Sequence, residues 1–558
     1  MKTREFDVSG TPETLAQVHP VMTGRVSRRF FLRAASVLGL SVVSQPILSK
    51  IAGDLPADAG SADNIFVVAS GSPAITLDPG TVFDGQSILL WRGVYENLVT
   101  YRDDTIEIAP GLAESFTGSD DGLTYTFKLR QGVKFHDGEP FNAAAAKFNI
   151  ERIRAMKVGL GYVFEDAELE TPDEYTLVIR LKTPQDAFLS SLAGMWSPYM
   201  ISPKAIRDNT VNDDWGAAWL RSNMVGTGPY RLKSYQKDQQ ATLERFDGYW
   251  DTSGDDHFQA VVVRYISDPS TLQLVLQSKQ VDSALWLPDD SLNALQGSPD
   301  INMDEYPTFS TTFFMMNCAK GPTADKRIRQ AIAYAFDYDA WINKINTGRL
   351  VQARGPVARG LPSYSEDTPQ YSRDFDKAKA LLAEAGHPDG GFSLDYTYET
   401  GYAWKREFAL LLQANLKELG IDLNISEISP AAWFDLLQNP DSQPHCYGFI
   451  WFGSLMARAY DVMQLMFGSN AQGKNGLNWA YYSNPEMDSV LAEAVKEVDA
   501  EKRIALYRKA EKMIVDDSPA LFLSYSKYRV PIVKEVEGYI SNPMYIYTYP
   551  FNRMKFAT

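Results

Sequence analysis

Cysteine is nearly absent from this chain, which has only Cys318 and Cys446. Two cysteines cannot build a disulfide scaffold, although this pair could form a single bond in an oxidising compartment. Histidine is scarce too: none of the five histidines lies four positions from another or at a Cys/His spacing typical of zinc. The sequence therefore predicts neither a disulfide-dependent fold nor a metal site made of protein ligands.

Positive charge and long apolar runs are also in short supply. The 54 Lys and Arg residues face 70 Asp and Glu residues, which gives a net charge of −16. A basic footprint for nucleic acid is therefore not expected. The apolar run at residues 34–48 is shorter than the roughly 20 residues that span a bilayer, and no later stretch is long and apolar enough.

The sequence contains no complete catalytic motif. Residues 468–475 nearly match a phosphate-binding P-loop, but the Ser or Thr that would hold Mg²⁺ after Lys474 is missing. Residues 226–228 begin like a dinucleotide fingerprint without its third glycine, and no Gly-x-Ser-x-Gly nucleophile elbow exists. The sequence therefore nominates no catalytic residue and no cofactor, and an enzyme is not expected.

What the chain does have at its N-terminus is an export signal. The segment Ser27–Arg33, which reads Ser-Arg-Arg-Phe-Phe-Leu-Arg, resembles the twin-arginine export motif. The apolar run at 34–48 follows it, and small residues at 57–62 offer a cleavage site. This order predicts a signal peptide and leader over residues 1–62 and a mature protein that is soluble in the periplasm, or weakly tethered if the signal is retained.

The mature chain alternates between strand-like and helix-like patterns. Alternating or continuous apolar residues predict strands at 65–69, 124–130, 176–181 and 421–425. Apolar spacing of three and four predicts helices at 87–98, 325–345, 376–385 and 404–419, and two more within 487–515. Helices that alternate with strands are typical of α/β layers in which helices cover both faces of a sheet.

Six short segments carry a resemblance to a known family. They occur in the family's order at 111–143, 226–230, 249–250, 276–282, 327–332 and 378–386. The first contains Asp120-Asp121-Gly122-Leu123-Thr124-Tyr125-Thr126-Phe127 and ends at Pro140-Phe141-Asn142-Ala143. Together they resemble the peptide/nickel/opine-type extracellular solute-binding proteins of ABC transporters, family 5, which are similar to oligopeptide- and dipeptide-binding proteins. The resemblance covers about residues 65–555.

The resemblance implies an α/β fold of the two-lobed periplasmic binding protein type (Venus-flytrap, class II, cluster C), with an extra subdomain inserted in lobe I. The implied lobe I consists of residues 63–97, 201–303 and 528–558. The inserted subdomain is mapped to 98–200, and lobe II to 304–527.

The implied function is the capture of a peptide-like, opine-like or other small polar solute between the lobes. The receptor then delivers this solute to the permease subunits of an ABC importer at the cytoplasmic membrane. It is expected to act as a monomer, with no nucleic-acid partner. An oligosaccharide receptor of the same family is the alternative, and an enzyme or chemosensory domain on this fold is a more remote one.

The main candidate for ligand contact is the stretch 449–461, an apolar strand that runs into a loop. Its candidate residues are Trp451, Phe452, Ser454, Arg458 and Asp461. In peptide-binding relatives the position that matches Ser454 is an aspartate that pairs with the peptide's α-ammonium group. Since Ser454 is uncharged, Arg458 could instead clamp a carboxylate or phosphate, or it could form a surface salt bridge.

Aromatic and polar side chains elsewhere complete the candidate site. By the same matching, Trp286, Trp404 and Trp433 fall at or near pocket positions, although each alone could be a core residue. Asp84 and Gln86, in the loop before the first helix, are the polar contacts expected from the other lobe.

Overall fold

The computed structural model describes residues 64–82, 85–252, 257–400, 403–439, 441–451 and 456–557. The strands are β1 (Ile65–Ser70), β2 (Val99–Tyr101), β3 (Ile108–Pro110), β4 (Ala113–Gly118), β5 (Thr124–Leu129), β6 (Glu168–Asp173), β7 (Thr176–Arg180), β8 (Tyr230–Gln236), β9 (Gln240–Arg245), β10 (Ala260–Tyr265), β11 (Ser283–Leu285), β12 (Ile301–Met316), β13 (Phe392–Glu399), β14 (Ile421–Ile428), β15 (Cys446–Trp451), β16 (Ala520–Val533), β17 (Val536–Glu537) and β18 (Lys555–Phe556).

Helices separate most of these strands. They are α1 (Ile88–Val94), α2 (Ala143–Met156), α3 (Pro203–Asn209), α4 (Ala217–Leu220), α5 (Pro269–Gln277), α6 (Asp289–Leu295), α7 (Lys326–Ala335), α8 (Phe375–Glu384), α9 (Ala403–Lys417), α10 (Pro430–Leu437), α11 (Ala459–Phe467), α12 (Pro485–Ala494) and α13 (Ala500–Asp517). Polar caps start several of them: Asn142, Asp374, Asn484 and Asp499 each accept a backbone N–H of the first turn.

One ten-stranded mixed sheet organises the molecule, in the order β14-β13-β15-β12-β16-β11-β1-β10-β9-β8. The two longest strands, β12 and β16, pair antiparallel in its middle. We call the part with β8–β11 and β1 the first half, and the part with β13–β15 the second half. The ladder between β12 and β16 is irregular from Pro307 to Thr311, where the two halves meet. Two long strands with a central irregularity form a hinge between two α/β halves.

The sheet is covered differently in the two halves. In the first half, Phe66–Ala69 of β1 are fully buried because parallel neighbours β10 and β11 flank the strand and helices cover both faces. In the second half, a core around Phe408 joins α7 and α9 to one face of the sheet. The other face packs against α10–α13 and continues into the core of the first half.

A smaller four-stranded sheet, β4-β5-β7-β6, packs with α2 beside the first half. Buried polar contacts attach this unit: Arg152 of α2 binds Asp78, which follows β1. Asn149 of α2 bonds to the backbone of Ile201. The unit occupies the part of the chain mapped above to the inserted subdomain, while the exact lobe boundaries stay a prediction.

Two predicted helices are shorter than expected. The helix predicted at 87–98 ends at Val94 because Tyr95 turns to an extended conformation. The helix predicted at 325–345 breaks after Ala335: Phe336 is extended and packs its ring 5.0 Å from that of Phe408, and a π-helical turn follows at 340–345. Amphipathic spacing continues through both breaks, so spacing alone could not reveal them.

Cys318 and Cys446 are both free thiols in the structure. Within the ranges given above, no helix combines the length and apolarity needed to cross a bilayer. No group of three or more His, Cys, Asp or Glu side chains in the same residues is placed to hold a metal ion. The predicted signal peptide lies outside the described residues.

Candidate functional site

Loops from both halves meet at the carboxyl ends of parallel strands. In the first half, β1 and β11 run parallel, so the loop after Ser70 and the residue after Leu285 lie at the same edge. In the second half, β13 and β15 run parallel, so the last residues of the two strands, Glu399 and Trp451, lie at the same edge. Crevices at the carboxyl ends of strands are the usual ligand sites of α/β sheets.

Trp286 forms the aromatic wall of the first half. It follows β11 with a positive φ of 64° and stacks on Tyr547, with ring centroids 4.0 Å apart at an interplanar angle of 29°. A Cβ at Gly85 would lie 3.0 Å from the Trp286 ring, so the chain just before Gln86 passes directly over this tryptophan. Gln86 is half-buried beside it.

Trp404 and Trp341 form the aromatic wall of the second half. Trp404 starts α9 and lies over Gly448 of β15, where any side chain would collide with its ring at about 3.2 Å. Trp341 belongs to the π-helical turn and is 2% exposed. The indole N–H groups of both side chains are buried and have no acceptor among the described residues. A buried donor without an acceptor is costly, so a polar group that enters the cavity and reaches these donors would be stabilised.

A cavity of ≈ 150 Å³ lies between the halves and against these two tryptophans. Its lining residues are Asp289, Glu305, Thr312, Trp341, Asn346, Arg349, Leu350, Trp404, Ile450, Ser526, Lys527 and Arg529. They come from α6 in the first half, from the hinge strands β12 and β16, and from the second half. This cavity is our candidate ligand site.

Three cations and two carboxylates line the cavity. Lys527 pairs with Glu305 at 2.9 Å, and Arg529 pairs with Asp289. The third cation, Arg349, donates to the side-chain oxygen of Asn293 and has no carboxylate within 4.0 Å in the part of the chain that is described. The cavity therefore carries one positive charge that the surrounding chain leaves unbalanced.

Acidic side chains gather at the outer edge of the same region. Asp289 and Asp290 begin α6, and Glu407 lies on α9 across the cleft. Partial burial raises the pKa of Glu407, and the charges of Asp290 and Asp289 raise it further. The cleft thus has a cationic interior at Arg349 and an acidic rim.

The Arg458 side chain takes part in buried ion pairs. It is 8% exposed and bonds to Asp186 and to Asp461, with a distance of 2.8 Å to Asp461. Asp461 also accepts the backbone N–H of Met456 at 2.8 Å. The structure thus places Arg458 in a salt bridge that is buried, because its partner Asp186 covers it from the small four-stranded unit, and contact of Arg458 with a ligand stays a prediction.

The other candidate residues have different positions. Trp433 is 2% exposed and packs edge-on against Trp479 and Tyr447, so it is a core side chain and does not line the cavity. Trp451 ends β15 opposite Thr311 of the hinge. Asp84, Phe452 and Ser454 lie outside the described residues.

Sequence reasoning missed Arg349 and Trp341. Both fall within or just after the region predicted as one long helix, where Trp341 looks like a core residue. Arg349 follows Thr347-Gly348, an ordinary turn with no ligand signature. Only the break at Phe336, which redirects the chain toward the cleft, brings them to the cavity.

Two α/β halves joined by two long strands, with an aromatic-walled cavity between them, define a two-lobed solute receptor. Residues 107–474 match the family described as bacterial extracellular solute-binding proteins, family 5 Middle. The chain belongs to this family.

Individual relatives agree with this assignment. The chain is 30% identical over 499 residues to a protein of Escherichia coli described as a probable D,D-dipeptide-binding periplasmic protein, DdpA, covering 88% of this chain and 94% of that one. It is 29% identical over 491 residues to the glutathione-binding protein GsiB of Pectobacterium atrosepticum, covering 87% and 93%. Among solved structures, the periplasmic binding protein DppA of Helicobacter pylori in complex with the peptide STSA superposes with a TM-score of 0.75 at 25% identity, covering 88% and 98%.

These findings confirm the predicted family and the two-lobed fold. The protein is a solute-binding protein of an ABC importer, and its relatives are periplasmic binding proteins rather than enzymes.

Proposed function

We propose that the protein captures a small zwitterionic solute with a free carboxylate, peptide-like or opine-like, and passes it unchanged to the permease subunits of its importer. One observation carries this proposal: Arg349 lines a cavity beside Trp341 and Trp404, and no carboxylate among the described residues lies within 4.0 Å of its guanidinium. A carboxylate has acceptor oxygens for such donors, and a charge-assisted bond to arginine is among the stronger hydrogen bonds.

The acidic rim offers negative charge for the cationic end of the ligand. In peptide-binding relatives an aspartate at the position of Ser454 holds the ammonium group, and this chain lacks it. Asp290 and Glu407 offer negative charge on the two sides of the cleft instead. A solute with an anionic and a cationic end would therefore bridge the two lobes. The names of the relatives, which mention a D,D-dipeptide, glutathione and the peptide STSA, fit this class.

Isothermal titration calorimetry with a matched set of probes tests the proposal. We expect a dipeptide to bind and its C-terminal amide, which lacks only the negative charge, to bind at least tenfold more weakly, since a charged hydrogen bond contributes about 1.5–3 kcal/mol. A neutral disaccharide serves as the probe for the oligosaccharide alternative. Equal binding of the dipeptide and its amide, or tight binding of the disaccharide, would contradict the proposal. Recovery of the bound dipeptide intact after prolonged incubation distinguishes a receptor from an enzyme.

We propose further that the protein reaches the periplasm by the twin-arginine pathway and acts there as a monomer. The motif with Arg28 and Arg29 supports this route. Replacing both arginines with lysine should leave the precursor in the cytoplasm, as seen by cell fractionation. Continued export of the double variant would point to another route.

A further inference from the structure

One residue of the small four-stranded unit, Asp186, is held entirely by the second lobe. Its backbone N–H donates to the carbonyl of Val495 at 3.2 Å. Its backbone carbonyl accepts from the Arg458 guanidinium at 3.1 Å. One carboxylate oxygen accepts from the same guanidinium, and the other accepts the hydroxyl of Tyr507 at 2.5 Å. All four polar groups of Asp186 are thus used across the boundary.

Three helices of the second lobe supply these partners. Arg458 is the residue before α11, Val495 follows α12, and Tyr507 lies within α13. A second carboxylate, that of Asp461, holds Arg458 from its own lobe. The guanidinium therefore lies between one acid of each lobe.

We expect this contact to be either fully formed or fully broken, with few intermediate states. Asp186, Arg458, Asp461 and Tyr507 are each less than 9% exposed, so these charges are paired away from water. Separating the lobes would leave the Arg458–Asp461 pair intact while Asp186 and Tyr507 return to solvent. Ala187, next in the chain, has a left-handed φ of 54°, a conformation that a non-glycine residue keeps only when its surroundings hold it.

We infer that Asp186, Arg458 and Tyr507 form an interlobe clamp that keeps part of the receptor population closed without help from a ligand. The clamp uses only groups of the chain itself, so it favours the closed form independently of what the cleft binds. Arg458 is a positioning residue in this scheme: through Asp461, which accepts the N–H of Met456, it connects lobe closure to the end of the loop that follows β15.

Small-angle X-ray scattering of the purified protein, unfolded and refolded to remove ligands, tests the inference. We expect Asp186→Asn, which removes the charge but keeps the side-chain shape, to increase the radius of gyration relative to the wild type. Tyr507→Phe removes a single hydroxyl bond and should give a smaller increase in the same direction. It also keeps the test decisive if the Asp186 variant does not fold.

The matched control is Asp78→Asn, which breaks a buried arginine–aspartate pair on one side of the cleft only. This variant should be less stable than the wild type but equally compact. An unchanged radius of gyration in both clamp variants would overturn the inference, and so would an equal increase in the Asp78 variant, because opening would then reflect general destabilisation.

Discussion

Arg152 and Arg349 are both arginines in polar surroundings, but the chain completes the bonding of only one of them. Arg152 is fully buried: its two terminal nitrogens bind both oxygens of Asp78 at 2.9 and 2.7 Å, and its Nε donates to the carbonyl of Trp215 at 2.9 Å. Arg349 is half-buried beside the cleft cavity, and within the described residues its guanidinium donates to the side chain of Asn293 and pairs with no carboxylate.

The difference separates a structural charge from a charge directed at a ligand. A cation deep in the protein is neutralised by the chain, since leaving a buried charge unpaired costs several kcal/mol of stability. A cation at a cavity that opens to solvent can stay incomplete in the free protein and be completed on binding. Variants on the two sides of this comparison should therefore change different measurements: stability for the first group and ligand affinity for the second.

The largest effect is expected at Asp78. Asp78→Asn leaves the Arg152 charge buried without a counter-ion, so the free energy of unfolding should fall by about 3–5 kcal/mol. Urea denaturation measures this change. The exposed pair of Lys204 and Asp208 is the matched control, because Asp208→Asn should cost less than about 1 kcal/mol. Similar losses in the two variants would mean that burial does not distinguish these pairs.

Glu511 extends the comparison to a buried acid that has no cation within 4 Å in the structure as described. It is 1% exposed and accepts the N–H of Val357 and the hydroxyl of Thr368. Burial raises its pKa from 4.5 to about 7. The folded state therefore keeps a proton between pH 4.5 and 7 that the unfolded state releases, and stability should decrease as pH rises through this window, by up to about 3 kcal/mol.

The variant Glu511→Gln tests this prediction because a glutamine cannot ionise. Its stability should lose this component of the pH dependence, as measured by urea denaturation at several pH values. The exposed Glu486, replaced in the same way, should keep the wild-type profile. A wild-type profile that rises steadily from pH 4.5 to 7 with no contribution from Glu511 would contradict the raised pKa.

The fold could be predicted from the sequence to a large extent. The ordered motifs between residues 111 and 386 and the alternation of helices and strands indicated the family and its two lobes, because both depend on local sequence. The helix ends at Val94 and Ala335 could not be predicted, since they depend on where Tyr95 and Phe336 pack in the folded protein.

For the candidate site, the sequence could indicate which segments contribute but not every side chain. The sequence indicated the segments after β13 and β15, whose contact with a ligand stays a prediction. The structure places Trp404 at the cavity and stacks Trp286 on Tyr547. Arg458 shows the limit: its partner Asp186 lies 272 positions away, a distance in sequence that no local pattern bridges. Arg349 gave no signal at all.

A smaller effect, confined to affinity, is expected at Arg349. Arg349→Ala should weaken binding of a carboxylate solute by about 1.5–3 kcal/mol, the usual value of a hydrogen bond to a charged group. Calorimetry with the dipeptide probe measures the loss, and the free energy of unfolding should stay within about 0.5 kcal/mol of the wild type, as for most surface substitutions. Arg349→Lys keeps the positive charge but lacks the planar guanidinium. Its affinity for the dipeptide should therefore lie between those of the wild type and Arg349→Ala. A loss of stability without a loss of affinity would show that Arg349 has a structural role, as Arg152 does.

The smallest effect separates two tryptophans that the sequence could not distinguish. Trp404→Phe keeps an aromatic face in the cavity but removes the buried N–H that lacks an acceptor in the described structure. If a ligand oxygen completes this donor, dipeptide affinity should fall by about 0.5–1.5 kcal/mol, the net value of one hydrogen bond, with little change in stability.

Trp433→Phe is the contrasting variant. It removes volume from the contacts with Trp479 and Tyr447, so the free energy of unfolding should fall by about 0.5–3 kcal/mol, while affinity changes less than in the Trp404 variant. The opposite pattern, in which Trp433→Phe weakens binding and Trp404→Phe does not, would move the ligand to the other face of β15. It would also show that a position on the cavity wall does not mark the site, because Trp404 lines the cavity and Trp433 does not.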